Sequence, residues 1–178
     1  MEFSKLIMER RSVRGYAEGK EISREVIEEI IKDAQKAPSW KNSQNARYYA
    51  AVTPEGIDKV RACLPGFNQE SSKGCCAYIV TSFVKKIAGH DKQGNPDNEM
   101  GDLWGAYDLG LNNAYLVLAA ADRGIDSLIM GIRAGEALSS ALGIPENEQV
   151  SAVISLGYRK EDPQFFPRKD LDRVAKFF

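Results

Sequence analysis

Arg10-Arg11-Ser12-Val13-Arg14 places three guanidiniums within five positions, just before Gly15-Tyr16. Each guanidinium presents a rigid fork of N–H donors that matches phosphate oxygens, and Ser12 adds a hydroxyl. The competing reading is a solvated basic helix end, where cations also suit the negative pole of the helix dipole. Arg168-Lys169 offer a second basic spot at a loop-to-helix junction; alone, such a pair reads as a solvated surface.

Other chemistries find little support. The only histidine is His90, in a polar, turn-rich segment, and Cys63, Cys75 and Cys76 lack the spacing of zinc ligands. A Ser-His-Asp or Cys-His mechanism would need His90 as its base, and nothing in the sequence places it; a lone loop histidine is expected to be exposed. No Walker-type glycine loop occurs, nor a Gly-x-Gly-x-x-Gly after a strand. Cys63 reads as a buried helix position on a face similar to that of Val60. With acid–base, metal and thiol routes weak, the chemistry falls to a bound cofactor whose phosphate the cationic cluster would hold.

Composition narrows the partners. The chain has 178 residues, 43% hydrophobic and 28% charged, with a formal charge of -1. That size suits one domain with one sizeable core. Near-neutrality means that anion binding must be local, and it argues against a nucleic-acid module built on the basic stretch, which also lacks interleaved exposed aromatics. An odd cysteine count with two adjacent cysteines suits a reducing cytosol, so a cytoplasmic location is expected. Phe3, Leu6 and Ile7 form an amphipathic turn or two, not a signal peptide, and no stretch is apolar and long enough to span a bilayer.

The elements that must position these residues follow from the pattern. Ser23 caps a helix carrying Val26, Ile27, Ile30, Ile31 and Ala34 on one face, running to about Lys36 before Pro38. Ala37 to Asn45 is a loop and Arg47 to Val52 a strand. Thr53-Pro54 open a helix to about Leu64. Cys75 to Val84 is the strongest strand, and Lys85 to Asp102 a long loop, a candidate lid over a site. Trp104 to Arg123 is a helix apolar nearly all round, to be buried by other helices or by a partner chain. Arg133 to Leu142 is a helix, Gln149 to Leu156 a strand, and Leu171 to Phe177 a final helical run. The sum is a single α+β domain over residues 1–178, its central sheet sandwiched by helices.

In this order the sequence resembles the FMN-dependent nitroreductase-like flavoproteins. The resemblance rests on Arg10-Arg11-Ser12-Val13-Arg14-Gly15-Tyr16, on Ala37-Pro38-Ser39-Trp40-Lys41-Asn42-Ser43-Gln44, and on Asp108-Leu109-Gly110 with Asn113. It continues through Ala119-Ala120, Gly124, Leu128-Ile129-Met130-Gly131, Leu142-Gly143-Ile144-Pro145, Leu156-Gly157-Tyr158 and Arg168-Lys169.

The resemblance implies a three-layer α/β/α sandwich with a central mixed or antiparallel sheet, an intertwined homodimer, and FMN at the subunit interface. It implies that Arg10, Arg11, Ser12 and Arg14 hold the ribityl phosphate and pyrimidine end, with Arg168 helping at the phosphate and Lys169 also among the cofactor-binding residues. Pro38, Ser39, Trp40 and Asn42 would come from the other subunit. Ile129-Met130-Gly131 would run beside the flavin ring, where Gly131 permits close backbone approach, and Asn68 would lie near that ring. The implied activity is two-electron transfer from NADH or NADPH through flavin N5 to a nitroaromatic, quinone or similar small acceptor, in a ping-pong cycle needing no side-chain acid or base. Alternatives are a flavin carrier or sensor without turnover, and reductive dehalogenation or flavin fragmentation. Two departures bear on substrate range: Asn45-Ala46 stands where the family commonly has Pro-Trp, and Trp40 replaces a small residue.

Overall fold

Every residue of Ala77–Val84 (β2) is buried, which marks it as an interior strand covered on both faces. The computed structural model describes residues 2–178, and β2 is flanked by Ala46–Ala51 (β1) and Glu148–Gly157 (β4), with Asp126–Met130 (β3) at the far edge. The order is β1-β2-β4-β3, antiparallel throughout, with one irregularity between Thr81 and Ser82. Of the two sheet types the sequence left open, the antiparallel one is observed.

The period-two alternation of β2 divides the core. Tyr78 and Val80 face Val60 of Pro54–Ala62 (α3) and Leu138 of Gly135–Leu142 (α6). Ala77 and Ile79 face Ile27 and Ile30 of Arg24–Ala34 (α2), with Leu116 and Ala120 of Leu103–Asp122 (α5). The result is helices on both faces of one sheet. Two short helices, Phe3–Glu9 (α1) and Gly66–Ser71 (α4), bracket the first basic stretch in space.

The helix starts follow their capping signals. Ser23 accepts from the Val26 N–H at 3.4 Å, and Thr53 accepts from the Gly56 N–H at 3.1 Å with Pro54 in the first turn. Thr53→Ala removes that acceptor and is expected to cost about 1 kcal/mol, lowering the midpoint of a circular-dichroism melt by about 3 °C. An unchanged midpoint would mean that the cap contributes nothing.

Several expectations are corrected. The final helical run is a single 3-10 turn, Leu171–Arg173, leaving Phe177 and Phe178 exposed. Cys63 follows α3 as its C-terminal cap and is only partly buried. α4 and β3 have no counterpart in the pattern: α4 is too short to show a period, and β3 is an edge strand whose Ile129 is 46% exposed. α5, expected to be apolar nearly all round, buries Asp108, Asn112 and Asn113 and leaves Leu103, Tyr107 and Tyr115 exposed along one side.

Candidate cofactor-binding site

The Arg10–Arg14 stretch leaves α1 as extended chain. Its Val13 N–H donates to the Ser127 carbonyl at 3.0 Å, which lays it parallel to the start of β3. Val13 is fully buried, so alternation turns Ser12 and Arg14 outward. Tyr16 anchors the far end: it is buried, and its hydroxyl lies 2.9 Å from Ser155 Oγ. Burial, more than any neighbouring group, raises the Tyr16 pKa, so it stays a neutral phenol.

Anchored this way, Arg10, Arg11, Ser12 and Arg14 form one wall of a cavity of about 810 Å³, and Phe165 and Arg168 of the C-terminal segment form another. Arg11 lies over the Phe165 ring at 5.0 Å and donates to the Arg10 carbonyl at 2.8 Å. Burial, then the charges of Arg11 and Arg168, push the Arg10 guanidinium below its ordinary pKa. Among the described residues, none of Arg10, Arg11, Arg14 and Arg168 is ion-paired with a carboxylate. Glu161 and Asp162 also line the cavity, but Asp162 pairs with Arg159 instead, and Arg159 forks onto Asp126 at the head of β3. Lys169 is exposed and does not line the cavity.

The Asn68 side chain donates to the Ile132 carbonyl at 2.8 Å, and the Gly15 N–H donates to the Ser71 carbonyl at 2.8 Å. Residues 10–14, Asn68 and Ile129-Met130-Gly131 therefore gather around β3. Met130 points into the core at 3% exposure, so a ligand beside β3 would meet Ile129 or the open backbone at Gly131.

Pro38, Ser39, Trp40 and Asn42 do not join this cavity within one subunit. Their loop is tied to Asp108, whose carboxylate accepts from the Trp40 N–H at 2.9 Å. The arginine side meets the other end of the same helix, near Ala121 and Gly124. At 1.5 Å per residue, Asp108 and Ala121 stand about 20 Å apart along α5.

The 85–102 segment has no regular helix or strand but is not loose. Ala88, Gly89 and His90 are buried, and His90 pairs with Pro96 in a β-bridge. His90 Nδ1 lies 3.0 Å from the Ala88 carbonyl, so the histidine expected to be exposed is a packed loop anchor. Lys41 pairs with Asp97 at 2.7 Å, fastening the segment to the 38–42 loop, and the Trp40 ring lies tilted against Trp104 of α5 with centroids 4.6 Å apart. Phe165 in the cavity wall and the Asp126–Arg159 clamp were missed at the sequence level. Neither had a local signal, since each depends on which distant segments meet.

What the described residues form here is a cationic pocket in an α/β/α sandwich. The chain belongs to the Nitroreductase family, whose profile matches residues 7–75 and 74–158. An Archaeoglobus fulgidus protein, provisionally named NADH dehydrogenase/NAD(P)H nitroreductase, is 32% identical over 173 residues, covering 95% of this chain and 92% of that protein. The crystal structure of a nitroreductase family protein from Streptococcus pneumoniae superposes with a TM-score of 0.86 at 19% identity, covering 99% of this chain and 100% of that one. One from Exiguobacterium sibiricum, crystallised with FMN, gives a TM-score of 0.83 at 22% identity over 100% and 98% of the two chains.

Proposed function

We propose that this chain is an FMN-dependent NAD(P)H oxidoreductase that works as a homodimer and reduces small nitroaromatic, quinone or similar acceptors. The observation that carries this reading is the convergence of Arg10, Arg11, Arg14 and Arg168 on one cavity without a carboxylate partner for any of them. Four like charges brought together stay costly until a polyanion neutralises them. A phosphate monoester dianion accepts several forked hydrogen bonds at once, so this donor set fits the FMN tail. The FMN complex of the Exiguobacterium sibiricum neighbour and the NAD(P)H-linked name of the Archaeoglobus fulgidus relative point the same way.

Bound FMN would supply the two-electron chemistry, taking reducing equivalents from NADH or NADPH and passing them to the acceptor. The chain's own task is to bind, orient and shield. Arg10, Arg11 and Arg168 would hold the phosphate, while Ser12 and Arg14 would face the pyrimidine end. There Arg14, or a backbone N–H, places positive charge where the reduced cofactor is anionic. Asn68 fixes the backbone at Ile132, and through it the run from Ile129 to Gly131 beside the ring. A site that leaves room for only one small molecule beside bound FMN would serve donor and acceptor in turn, which would make the cycle ping-pong.

A second subunit completes the pocket. Leu103, Tyr107 and Tyr115 form an exposed apolar stripe along α5, and Phe166, Leu171, Val174 and Phe177 are exposed in the C-terminal segment. Such surface is more than a monomer leaves uncovered without cause. Covering the α5 stripe with a twin would let its Pro38–Asn42 loop approach the arginine pocket.

Purified protein incubated with FMN and desalted should be yellow. Anaerobic NADH or NADPH should bleach it, and a nitroaromatic or quinone should restore the colour. A colourless product after reconstitution would refute the reading, and bleaching without reoxidation would favour a carrier.

A further inference from the structure

The geometry points to Asp108 as a positioning residue that sets the conformation of the 39–44 loop and, through it, the affinity for FMN. This rests on the assignment of Ser39, Trp40 and Asn42 to the cofactor site.

Asp108 is 2% exposed, on the early part of α5. A single oxygen, Oδ2, accepts from both the Trp40 N–H at 2.9 Å and the Ser43 hydroxyl at 3.4 Å. No cation pairs with it among the described residues. A carboxylate buried without a counter-charge is a poor choice for packing a helix, where an apolar side chain would serve better. Burial pushes the Asp108 carboxyl upward in pKa, and the two donors from the loop act against that rise.

The loop it holds is strained. Lys41, Asn42 and Gln44 have φ of 47°, 56° and 48°, the left-handed region that residues other than glycine enter at a cost. Such backbone persists only where its surroundings over-determine it. Three bonds are internal to the loop: Ser39 Oγ accepts from the Gln44 N–H at 3.1 Å, the Ser39 carbonyl from the Asn42 N–H at 3.0 Å, and the Trp40 carbonyl from the Ser43 N–H at 2.8 Å. These shape the loop but do not fix it to the scaffold. Its hydrogen bonds to α5 both end on Asp108. The Lys41–Asp97 pair and the Trp40–Trp104 ring contact hold side chains of the loop, but Asp108 is what grips its backbone from α5, and that grip sets where Ser39, Trp40 and Asn42 stand.

The test uses full-length protein, flavin-free and FMN-titrated. D108A should raise the FMN Kd about tenfold and speed amide exchange over residues 39–44 about tenfold, with β2 unchanged. D108N keeps an oxygen acceptor in the same place and should stay within about threefold on both measures, a rescue that bulk destabilisation would not give. If D108A fails to fold, Ser43→Ala removes one of the two donors and should weaken FMN about threefold. Unchanged loop exchange in D108A, or in S43A should that variant stand in, overturns the positioning role. Faster loop exchange with wild-type FMN affinity overturns its link to the cofactor. A wild-type protein that does not bind FMN condemns the functional reading instead, while the exchange measurement on flavin-free protein still decides the positioning role.

Discussion

Arg10→Ala is expected to raise the dissociation constant for FMN about 30-fold while leaving turnover of the FMN-loaded enzyme within about threefold of wild type. A hydrogen bond to a charged group contributes roughly 1.5–3 kcal/mol, and about 2 kcal/mol corresponds to that change in affinity. The upper end is not expected, because Arg10 is opposed in the free protein by Arg11 and Arg168. Deleting it relieves that repulsion and offsets part of the lost attraction. Turnover is spared because Arg10 is assigned to the phosphate, away from the ring where electrons move. Arg10→Lys should fall between the two, restoring charge without the fork. Fluorescence titration of flavin-free protein measures the affinity, and steady-state rates at saturating FMN measure the rest. If Arg10→Ala bound FMN as tightly as wild type, the phosphate assignment would be wrong.

How much of this was legible in the sequence depends on the range of the signal. Ser23, Thr53-Pro54 and the spacing of Ile27, Ile30 and Ala34 are local, and α2 and α3 begin where these residues place them. β2 was legible because an interior strand is apolar along its length. β3 was not, because its edge position leaves Ile129 exposed and breaks the apolar run. At the site, the type of Arg10, Arg11 and Arg14 announced an anion pocket, but only the fold brings Arg168 and Phe165 to it. Asp108 was visible as a landmark without a role, since its partners Trp40 and Ser43 lie more than sixty residues away in sequence. His90 shows the reverse error: a polar neighbourhood suggested exposure, and the turn around Pro96 buried it.

Gly105→Ala is expected to destabilise the protein by about 2 kcal/mol, the opposite sign from the same change at an open helix position. Alanine favours helix over glycine by about 1 kcal/mol, so only a collision can reverse the effect. The collision is specific. A Cβ at position 105 would stand 2.7 Å from Cε2 of Phe83 and closer still to its Cδ2, and 3.2 Å from Asn45 Nδ2. Phe83 is buried on β2 and Asn45 is 1% exposed, so neither ring nor amide can swing into solvent. Forcing a methyl into such a core costs up to about 3 kcal/mol, and the helix gain returns about 1. For a chain of this length the melting midpoint should fall by roughly 4–8 °C. A double mutant separates this from a general defect of α5. Phe83→Leu alone should destabilise by leaving a void, yet the Gly105→Ala/Phe83→Leu pair should be more stable than Gly105→Ala alone. Additive losses in that cycle would show that the glycine serves something other than the approach of α5 to the Phe83 ring.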